Sequence, residues 1–357
     1  MARQWTAVDL FAGCGGLSRG IARAGFTIVS AVEIDELAAR TYKLNHGNVE
    51  NVLCRDIRLV KRRDLLPAAG GEIDLVAGCP PCQGFSRVRR KNRTRSSKDS
   101  RNSLIDDFRR LVRSLRPKAV FLENVPGIET YSLFKSFVAV LQHLKYEVAC
   151  ECVDLSDYGV PQRRKRVVLI AGRGFPISLP RKSIKKRTVF DAIGGLESPR
   201  RSRRRLHNYR TTRAPQVMQR IKAVPKNGGS RTSWSKELSL KCHKKFRGFR
   251  DVYGRMAWNS LAPTITGGCI NPSKGRFLHP QQDRAITLFE AALLQTFPRR
   301  YRFPLESGRY PIAEMIGNAL PPLFAERVGK NIRRALEKHC NGRRVHSRKT
   351  KRRHGAD

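Results

Sequence analysis

Length, composition and charge set the first limits on what this chain can be. It has 357 residues, of which 40% are hydrophobic, which is enough to bury a sizeable core. A chain of this length is longer than a single domain usually is. Its 72 Lys and Arg residues against 29 Asp and Glu residues give a charge of +43, which attracts DNA, RNA or acidic membrane surfaces unless the surface is simply basic throughout. The sequence lacks both an apolar run of about 18 residues and a secretory signal, so we expect no transmembrane helix and a cytoplasmic protein.

The first half of the chain alternates short apolar strands with amphipathic helices. Strands are predicted at residues 6–11, 27–33, 73–77, 119–125, 146–153 and 166–171. Helices are predicted at residues 17–24, 35–45, 103–115 and 131–144. Strands that alternate with helices in this way predict an α/β fold with a doubly wound, mostly parallel sheet.

The composition changes after Gly172. Residues 181–255 contain 23 Lys or Arg residues and only 4 Asp or Glu residues, with weak periodicity, which predicts a second, smaller domain that faces nucleic acid. Helical periodicity returns at residues 284–296 and 322–337. The tail from residue 341 is basic, and we expect it to be disordered.

A glycine-rich turn, DLFAGCGGL at residues 9–17, joins the first predicted strand to the first predicted helix. Glycine permits a tight turn and the close approach of a ligand to the backbone. Glu33 ends the second strand, where a carboxylate can accept from both hydroxyls of a ribose, and Asp56 ends a third short strand. A simple packing turn is the alternative, but the acid favours a nucleoside site, and the GxGG spacing favours an adenosyl cofactor other than NAD.

A second motif, GCPPCQGFS at residues 78–86, follows a predicted strand at the edge where open α/β sheets bind ligands. Two prolines stiffen the turn before Cys82, and a thiolate near a helix start and several arginines is suited to act as a nucleophile. A small buried cysteine with a packing role is the alternative. Cys79 and Cys82 also form a CxxC pair, but no second CxxC or HxxxH pair completes a zinc site, so no metal is predicted.

Two further segments carry candidate side chains. Glu123, in FLENVPG at residues 121–127, ends an apolar strand, and a poorly solvated carboxyl group suits proton donation or a hydrogen bond to a ring nitrogen. A structural carboxylate that caps the next turn is the alternative. In QRRKR at residues 162–166, strand alternation puts Arg164 and Arg166 on one face, although the run alone is only basic.

Taken in chain order, these segments resemble those of the cytosine-C5 DNA methyltransferases. The resemblance rests on DLFAGCGGLS, VEID, RDI, GCPPCQGFS, ENVPGI, VPQRRKRVVLIAG, RAITLFEAALLQTFP and IGNALPP, and it covers about residues 6–335. It implies a Rossmann-like fold that binds S-adenosylmethionine, with a target-recognition domain. We therefore expect a catalytic and cofactor-binding domain at 1–180 plus 311–340, a target-recognition domain and return segment at 181–310, and a tail at 341–357.

The resemblance also implies roles in the reaction. Cys82 would add to C6 of a cytosine flipped out of the duplex, while Glu123 contacts N3 and the exocyclic amine. The adduct makes C5 nucleophilic enough to take the methyl group, after which the C5 proton leaves and Cys82 is expelled. Arg164 and Arg166 match arginines that position the base and the nucleophile. Residues 87–101, with eight Lys or Arg residues, match a mobile loop that closes over the base.

For the cofactor, the resemblance implies contacts along the whole edge of the sheet. Glu33 matches the acid that binds the ribose, and Asp56 matches the contact to the adenine amine. The full set of matching positions is Phe11, Gly13, Gly15, Leu17, Glu33, Ile34, Asp56, Ile57, Pro80 and Asn318.

Three functions remain open on the sequence. A DNA methyltransferase, either solitary or paired with a restriction endonuclease that acts on the same sequence, is favoured by the long basic segment at 181–270. A tRNA cytosine methyltransferase of the same fold is the second, because bulk charge does not distinguish RNA from DNA. A non-catalytic DNA-binding protein is the third, and the intact candidate residues argue against it. We expect duplex DNA as partner, no membrane, and a monomer.

Overall fold

The chain divides into two compact units in a computed structural model that describes residues 3–67, 70–81, 103–209, 211–240 and 251–353, with side chains up to residue 341. The first unit comprises Met1–Val153, Lys165–Arg181 and Phe324–Asp357, and the second comprises Asp154–Arg164 and Lys182–Leu323. Cys82 and the basic segment 87–101 lie outside the described residues. The roles predicted for the two parts, catalysis and target recognition, stay predictions.

Seven strands form one sheet, in the order β3-β2-β1-β4-β5-β7-β6. The strands are β1 Trp5–Leu10, β2 Phe26–Glu33, β3 Asn51–Cys54, β4 Leu75–Gly78, β5 Ala119–Asn124, β6 Tyr146–Asp154 and β7 Lys165–Arg173. The pairs among β1 to β5 are parallel, whereas β7 is antiparallel to β5. The predicted α/β fold with a mostly parallel, Rossmann-like sheet is confirmed.

Ten α-helices accompany the sheet and the second unit within the described residues. They are α1 Gly16–Arg23, α2 Glu36–Asn45, α3 Leu104–Leu115, α4 Ser132–His143, α5 Val189–Ile193, α6 Arg205–Asn208, α7 Pro215–Lys222, α8 Leu288–Leu294, α9 Arg309–Asn318 and α10 Pro322–Arg353. Local signals set several of their ends. Asp35 caps α2 by accepting from the Ala38 amide at 2.7 Å, and Arg116, in a left-handed conformation, ends α3 just before Pro117.

The core of the first unit lies between the central strands and the apolar face of α3. Val76, Val120 and Leu122 are fully buried, and each such side chain contributes about 1.5–3 kcal/mol by leaving water. Phe108 of α3 meets Phe137 of α4 edge to face, with ring centroids 5.6 Å apart. This packing holds the strands rigidly, so the residues at their carboxyl ends have fixed positions.

The second unit consists of short helices and irregular segments joined by buried polar side chains. Gln162 is the clearest example, since its Nε2 donates to Leu294 O at 3.0 Å and to Gln295 Oε1 at 2.8 Å. Its Oε1 accepts from the Ile265 amide at 3.0 Å. One amide side chain therefore ties three distant segments together, which substitutes for a regular hydrogen-bond ladder.

Three boundaries differ from the sequence expectations. Residues 311–323 belong to the second unit, whereas the sequence analysis grouped them with the catalytic domain. Helix α8 starts at Leu288 instead of 284, because Thr287 and Glu290 form a capping box at that point. Helix α10 continues to Arg353 where a disordered tail is predicted from residue 341, since no proline follows Pro322 and Lys and Arg are good helix formers. Within the described ranges, no helix has the length and apolar character needed to cross a membrane.

Candidate functional site

The carboxyl ends of three neighbouring strands form the edge at which the candidate catalytic residues collect. Leu10, Gly78 and Leu122 are in register across β1, β4 and β5. Because β7 runs antiparallel to β5, its first residues lie beside the last residues of β5. Side chains that end β5 and side chains that begin β7 therefore meet at this edge, where open α/β sheets bind their ligands.

Glu123 lies at this edge and is held from two sides. The residue is only 7% exposed. Its Oε1 lies 2.7 Å from Nε of Arg166, and the two atoms form an ion pair without hydrogen-bond geometry. The thiol of Cys79 donates a hydrogen bond to the carboxylate, and burial, together with the charge of Glu123, raises the pKa of Cys79 well above its ordinary value. A cation and a neutral thiol thus fix the carboxyl group at the strand end.

Asn124 joins the end of β5 to the turn that leads to the predicted nucleophile. Its Nδ2 donates to the carbonyl of Pro80 at 2.9 Å, and its Oδ1 accepts from the Val125 amide at 2.8 Å. The sequence analysis missed this residue, although its place beside Glu123 in the ENV motif was a signal. Pro80, predicted as a cofactor contact, is thereby held in place two residues before Cys82.

Glu33 organises the glycine-rich turn. Its Oε2 accepts from the Gly13 amide at 2.7 Å, and its Oε1 accepts from the amides of Ile34 and Asp35 at 2.9 Å each. Burial raises the pKa of Glu33 despite these donors. Gly13 adopts φ 54° and Gly15 adopts φ 92°, backbone conformations that favour glycine. Oε1 accepts two of these hydrogen bonds and Oε2 accepts one, so Oε2 keeps a lone-pair site for a further donor, such as a ribose hydroxyl.

The apolar residues predicted to contact the cofactor fall into two groups. Ile34 is 63% exposed directly beside Glu33, so an apolar surface is available where an adenine would lie. Phe11 adopts φ 62°, a strained conformation for a bulky residue and one that is common at functional sites. Leu17 and Ile57 are buried instead, so they support the turns from below.

Asp56 is occupied by a neighbouring cation. Its carboxylate accepts hydrogen bonds from Nε of Arg58 at 3.0 Å, from Nη2 of Arg58 at 2.6 Å and from the Arg58 backbone amide at 3.0 Å. The hydrogen bond from the Arg58 side chain lowers the pKa of Asp56. An adenine amine would therefore have to share this carboxylate with Arg58, which is exposed and able to move.

Asp9 is a buried carboxyl group that the sequence analysis did not single out. Its Oδ2 accepts from Ser18 Oγ at 2.6 Å, and the hydroxyl of Tyr42 donates to Ser18 Oγ at 2.7 Å. Its Oδ1 is buried and has no hydrogen-bond partner among the described residues. Burial raises the pKa of Asp9 to about 7. An unsatisfied acceptor beneath the glycine turn fits a ligand that carries a donor or a positive charge there.

Arg164 and Arg166 have different partners. Arg166 belongs to the first unit and pairs with Glu123, whereas Arg164 belongs to the second unit and is only 2% exposed. The Arg164 guanidinium donates to Ile265 O at 3.0 Å, to Gly317 O at 3.0 Å and to Ala319 O at 3.1 Å. It therefore fixes the backbone on both sides of Asn318, the exposed residue at the end of α9.

Within the ranges that the structure describes, no three His, Cys, Asp or Glu side chains are arranged to hold a metal ion. The thiol of Cys79 faces Glu123, as described above, rather than a set of metal ligands.

Comparisons with known proteins identify the family that the chain resembles. The sequence profile of a family described as C-5 cytosine-specific DNA methylase matches residues 5–334. Type II methylase M.HgiDII of Herpetosiphon aurantiacus is 36% identical, with 92% of this chain and 95% of the relative covered. Type II methyltransferase M1.HphI of Haemophilus parahaemolyticus is 32% identical, with 92% and 86% covered. A crystal structure described as a DNA modification methyltransferase encoded within an E. coli prophage is 29% identical and has a TM-score of 0.67, covering 94% of this chain and all of the other. The matches extend over both compact units.

Proposed function

The chain belongs to the C-5 cytosine-specific DNA methylase family, and we propose that it transfers a methyl group from S-adenosylmethionine to C5 of a cytosine in duplex DNA, with Cys82 as the nucleophile. The observation that carries this proposal is the Glu123 carboxyl group, fixed by Arg166 and Cys79 at the edge of the sheet that leads to Cys82. A positioned carboxyl group beside a nucleophilic thiol is what activation of a cytosine ring requires.

The reaction needs a nucleophile because C5 of cytosine is unreactive while the ring is aromatic. Addition of the Cys82 thiolate to C6 breaks the C5–C6 double bond and makes C5 electron-rich. The base must first leave the duplex, since the thiolate cannot reach C6 inside the stack. After methyl transfer, a base removes the C5 proton, the double bond returns and the thiolate leaves.

Glu123 stabilises the ring while Cys82 is attached. Addition to C6 pushes negative charge towards N3, and a carboxyl group at that nitrogen supplies a proton or a hydrogen bond when the charge develops. Arg166 keeps the carboxyl group in place through the ion pair at 2.7 Å. Cys79 donates to the same carboxylate, so its thiol stays protonated and does not compete with Cys82 as a nucleophile.

The residues of the glycine turn fit S-adenosylmethionine, which supplies an electrophilic methyl group on a sulfonium centre. Oε2 of Glu33 has acceptor capacity for a ribose hydroxyl, and exposed Ile34 offers an apolar face to the adenine. The unsatisfied Oδ1 of buried Asp9 suits the positive end of this cofactor. Arg164 acts at a distance in this proposal, by holding the backbone that carries Asn318.

The biological role that we infer is protection of DNA within a restriction-modification system. The curated relatives M.HgiDII and M1.HphI carry type II names, and this chain covers 95% and 86% of their lengths. A methyl group at C5 lies in the major groove, where it changes what an endonuclease reads. We expect a monomer that acts on duplex DNA, with an endonuclease of the same specificity as its functional counterpart.

Trapping of the covalent adduct tests this mechanism. A pool of random-sequence duplexes with 5-fluorocytosine in one strand presents no removable proton at C5, so the Cys82 adduct should persist after methyl transfer. We expect a complex that survives detergent for the wild type and for Cys79→Ala, and none for Cys82→Ala, which should still bind S-adenosylmethionine. An adduct in Cys82→Ala that disappears in Cys79→Ala would assign the nucleophile to the wrong cysteine and overturn the mechanism.

A further inference from the structure

A cleft of about 820 Å³ lies within the second unit, and nothing in the mechanism above uses it. Its walls include the aromatic rings of Tyr209 and Tyr310 and the guanidinium groups of Arg213 and Arg309. The cleft is large enough for a nucleotide-sized group. Its charge shows what kind of group it would accept.

Two other arginines in or beside the cleft are paired with carboxylates. Arg255 is fully buried and is 2.9 Å from Asp283, and it also donates to four backbone carbonyls. Arg284 makes two hydrogen bonds of 2.7 Å with buried Glu290. Such pairing is expected, because a buried cation without an anionic partner is costly.

Arg213 and Arg309 break this pattern. Arg213 is half-buried and makes one hydrogen bond, from Nη2 to Ile270 O at 3.0 Å. Arg309 donates from Nη1 to Thr211 Oγ1 at 3.0 Å and lies over the ring of Tyr310. Neither guanidinium has a carboxylate within ion-pair distance among the described residues. Burial, together with the charge of Arg309, lowers the pKa of Arg213, so the two cations repel each other.

The other charged groups of the cleft do not relieve this repulsion. Asp283 lines the cleft, but its carboxylate is held by Lys226 and Arg255. Although burial opposes it, the hydrogen bond from Lys226 holds the pKa of Asp283 below its ordinary value. Arg284 is engaged by Glu290, as described above. The described walls of the cleft thus contain two half-buried cations, Arg213 and Arg309, and an exposed one, Arg200, and an anionic ligand would balance their charge.

We propose that Arg213 and Arg309 bind a backbone phosphate of the substrate DNA in this cleft. The assignment rests on the proposed function, which makes duplex DNA the ligand. Each guanidinium uses one of its five N–H donors on the protein, so a fork of donors remains that matches phosphate oxygens. One phosphate would relieve the repulsion between the two cations, which a neutral base edge would not do.

The experiment measures how the affinity of the full chain for a duplex depends on salt, without S-adenosylmethionine, for the wild type, Arg213→Gln and Arg309→Gln. Arg220→Gln is the matched control, because Arg220 is also half-buried with one carbonyl partner, Leu238 O at 2.9 Å, but does not line the cleft. We expect the slope of log affinity against log salt to fall by about 0.9 in each cleft variant. Affinity at low salt should fall about tenfold. The control should change neither quantity.

Two further measurements separate this proposal from its alternatives. Because a phosphate carries no sequence information, the cleft variants should methylate the same recognition sequence as the wild type. An unchanged salt slope, or a relaxed preference at one base pair, would overturn the phosphate assignment. Inorganic diphosphate, titrated as a probe, should bind the wild type only weakly. If it instead binds the wild type tightly and the variants weakly, while the salt dependence of DNA affinity is unchanged, the cleft binds a small phosphate ligand.

Folding and function are monitored separately. Removal of one of two repelling cations should leave the melting temperature of the DNA-free chain unchanged or raise it, so a lower melting temperature in Arg213→Gln would identify a structural arginine instead. Failure of the proposed function would appear as absence of 5-methylcytosine in DNA treated with the wild type. That result is independent of the variants' salt slopes.

Discussion

The two units of the chain differ in the charged groups that they bury. At the strand ends of the first unit, the buried groups are the carboxyl groups of Asp9, Glu33 and Glu123, which receive amide, hydroxyl, thiol and guanidinium donors. In the second unit they are Glu290, which pairs with Arg284, and the guanidinium groups of Arg164 and Arg255, which donate mainly to backbone carbonyls. These side chains therefore complement the backbone of their own unit: carboxyl groups accept from free amides in the first unit, and guanidinium groups donate to free carbonyls in the second.

The backbone explains this difference. In the first unit, sheet and helices satisfy most carbonyls, while the glycine turn leaves amides that point at Glu33. The second unit has short helices and irregular segments, so carbonyls such as those of His279 and Val224 accept from a side chain instead of a backbone amide. A guanidinium offers five donors and satisfies several such carbonyls at once. Arginine thus has a structural role in the second unit in addition to any contact with DNA.

The largest effect predicted from this comparison follows from Arg255→Met. This change removes the Arg255 hydrogen bonds to four carbonyls and leaves Asp283 with Lys226 alone, so the free energy of unfolding should fall by about 3–5 kcal/mol. Denaturant unfolding measures the loss, with Arg220→Met, a single-carbonyl arginine, as control. Equal losses of stability in both variants would mean that the number of carbonyls an arginine binds does not determine its contribution to stability.

A smaller loss is expected for Arg164→Lys. An ammonium group cannot reach Ile265 O, Gly317 O and Ala319 O together, so stability should fall by about 2–3 kcal/mol, and cofactor affinity should fall with it. Denaturant unfolding and calorimetric titration with S-adenosylmethionine measure the two quantities. A variant with full stability and normal cofactor affinity but no turnover would instead place Arg164 among the reacting groups.

On the carboxylate side of the comparison, Glu33→Ala should weaken binding of S-adenosylmethionine by about 1–3 kcal/mol, through lost charged hydrogen bonds and a loosened turn. Calorimetric titration measures the change. Glu36→Ala is the control, since Glu36 is an exposed acid in the first turn of α2, near in sequence. Unchanged affinity in Glu33→Ala would remove Glu33 from the cofactor site.

The last prediction is an opposite pH dependence of the two units. Burial raises the pKa of Asp9 from 3.8 to about 7, so its contribution to stability is complete below the unfolded value and is lost as the pH rises towards 7. Burial lowers the pKa of His279 from 6.5 to about 4, so its contribution is present above 6.5 and is lost as the pH falls towards 4. Stability relative to Asp9→Asn should therefore decline with rising pH, and stability relative to His279→Asn with falling pH. Each slope is at most about 1.4 kcal/mol per pH unit in cofactor-free protein, and parallel profiles would contradict the comparison.

Local patterns in the sequence predict the first unit well. Alternation of strands and helices locates the sheet, and Glu33 and Glu123 stand at the strand ends where apolar runs stop. The partners of these groups depend on long-range contacts that no local pattern contains. Cys79 meets Glu123, which is 44 residues away, and Arg164 meets Gly317, which is 153 residues away. The sequence therefore indicates which residues are candidates for the functional site, but it does not indicate which residues they contact.

The second unit is less predictable for the same reason. Its helices are short and its stability depends on side chains such as Gln162 that join distant segments, so periodicity carries little information there. The boundary at residue 323 illustrates this, because hydrogen bonds from Arg164 and Gln295 hold residues 316–319 in that unit. A basic composition indicates a nucleic-acid partner, but it does not separate Arg213 and Arg309 from the structural arginines.

The central claim is that the chain methylates C5 of cytosine in duplex DNA. Its most direct test is the transfer of labelled methyl groups from S-adenosylmethionine to duplex DNA and, in parallel, to total tRNA, followed by nucleoside analysis. We predict 5-methylcytosine in the DNA alone, at one recognition sequence, and no label with Cys82→Ala. Label in the tRNA alone, or in neither substrate when long DNA of varied sequence is supplied, would contradict the account.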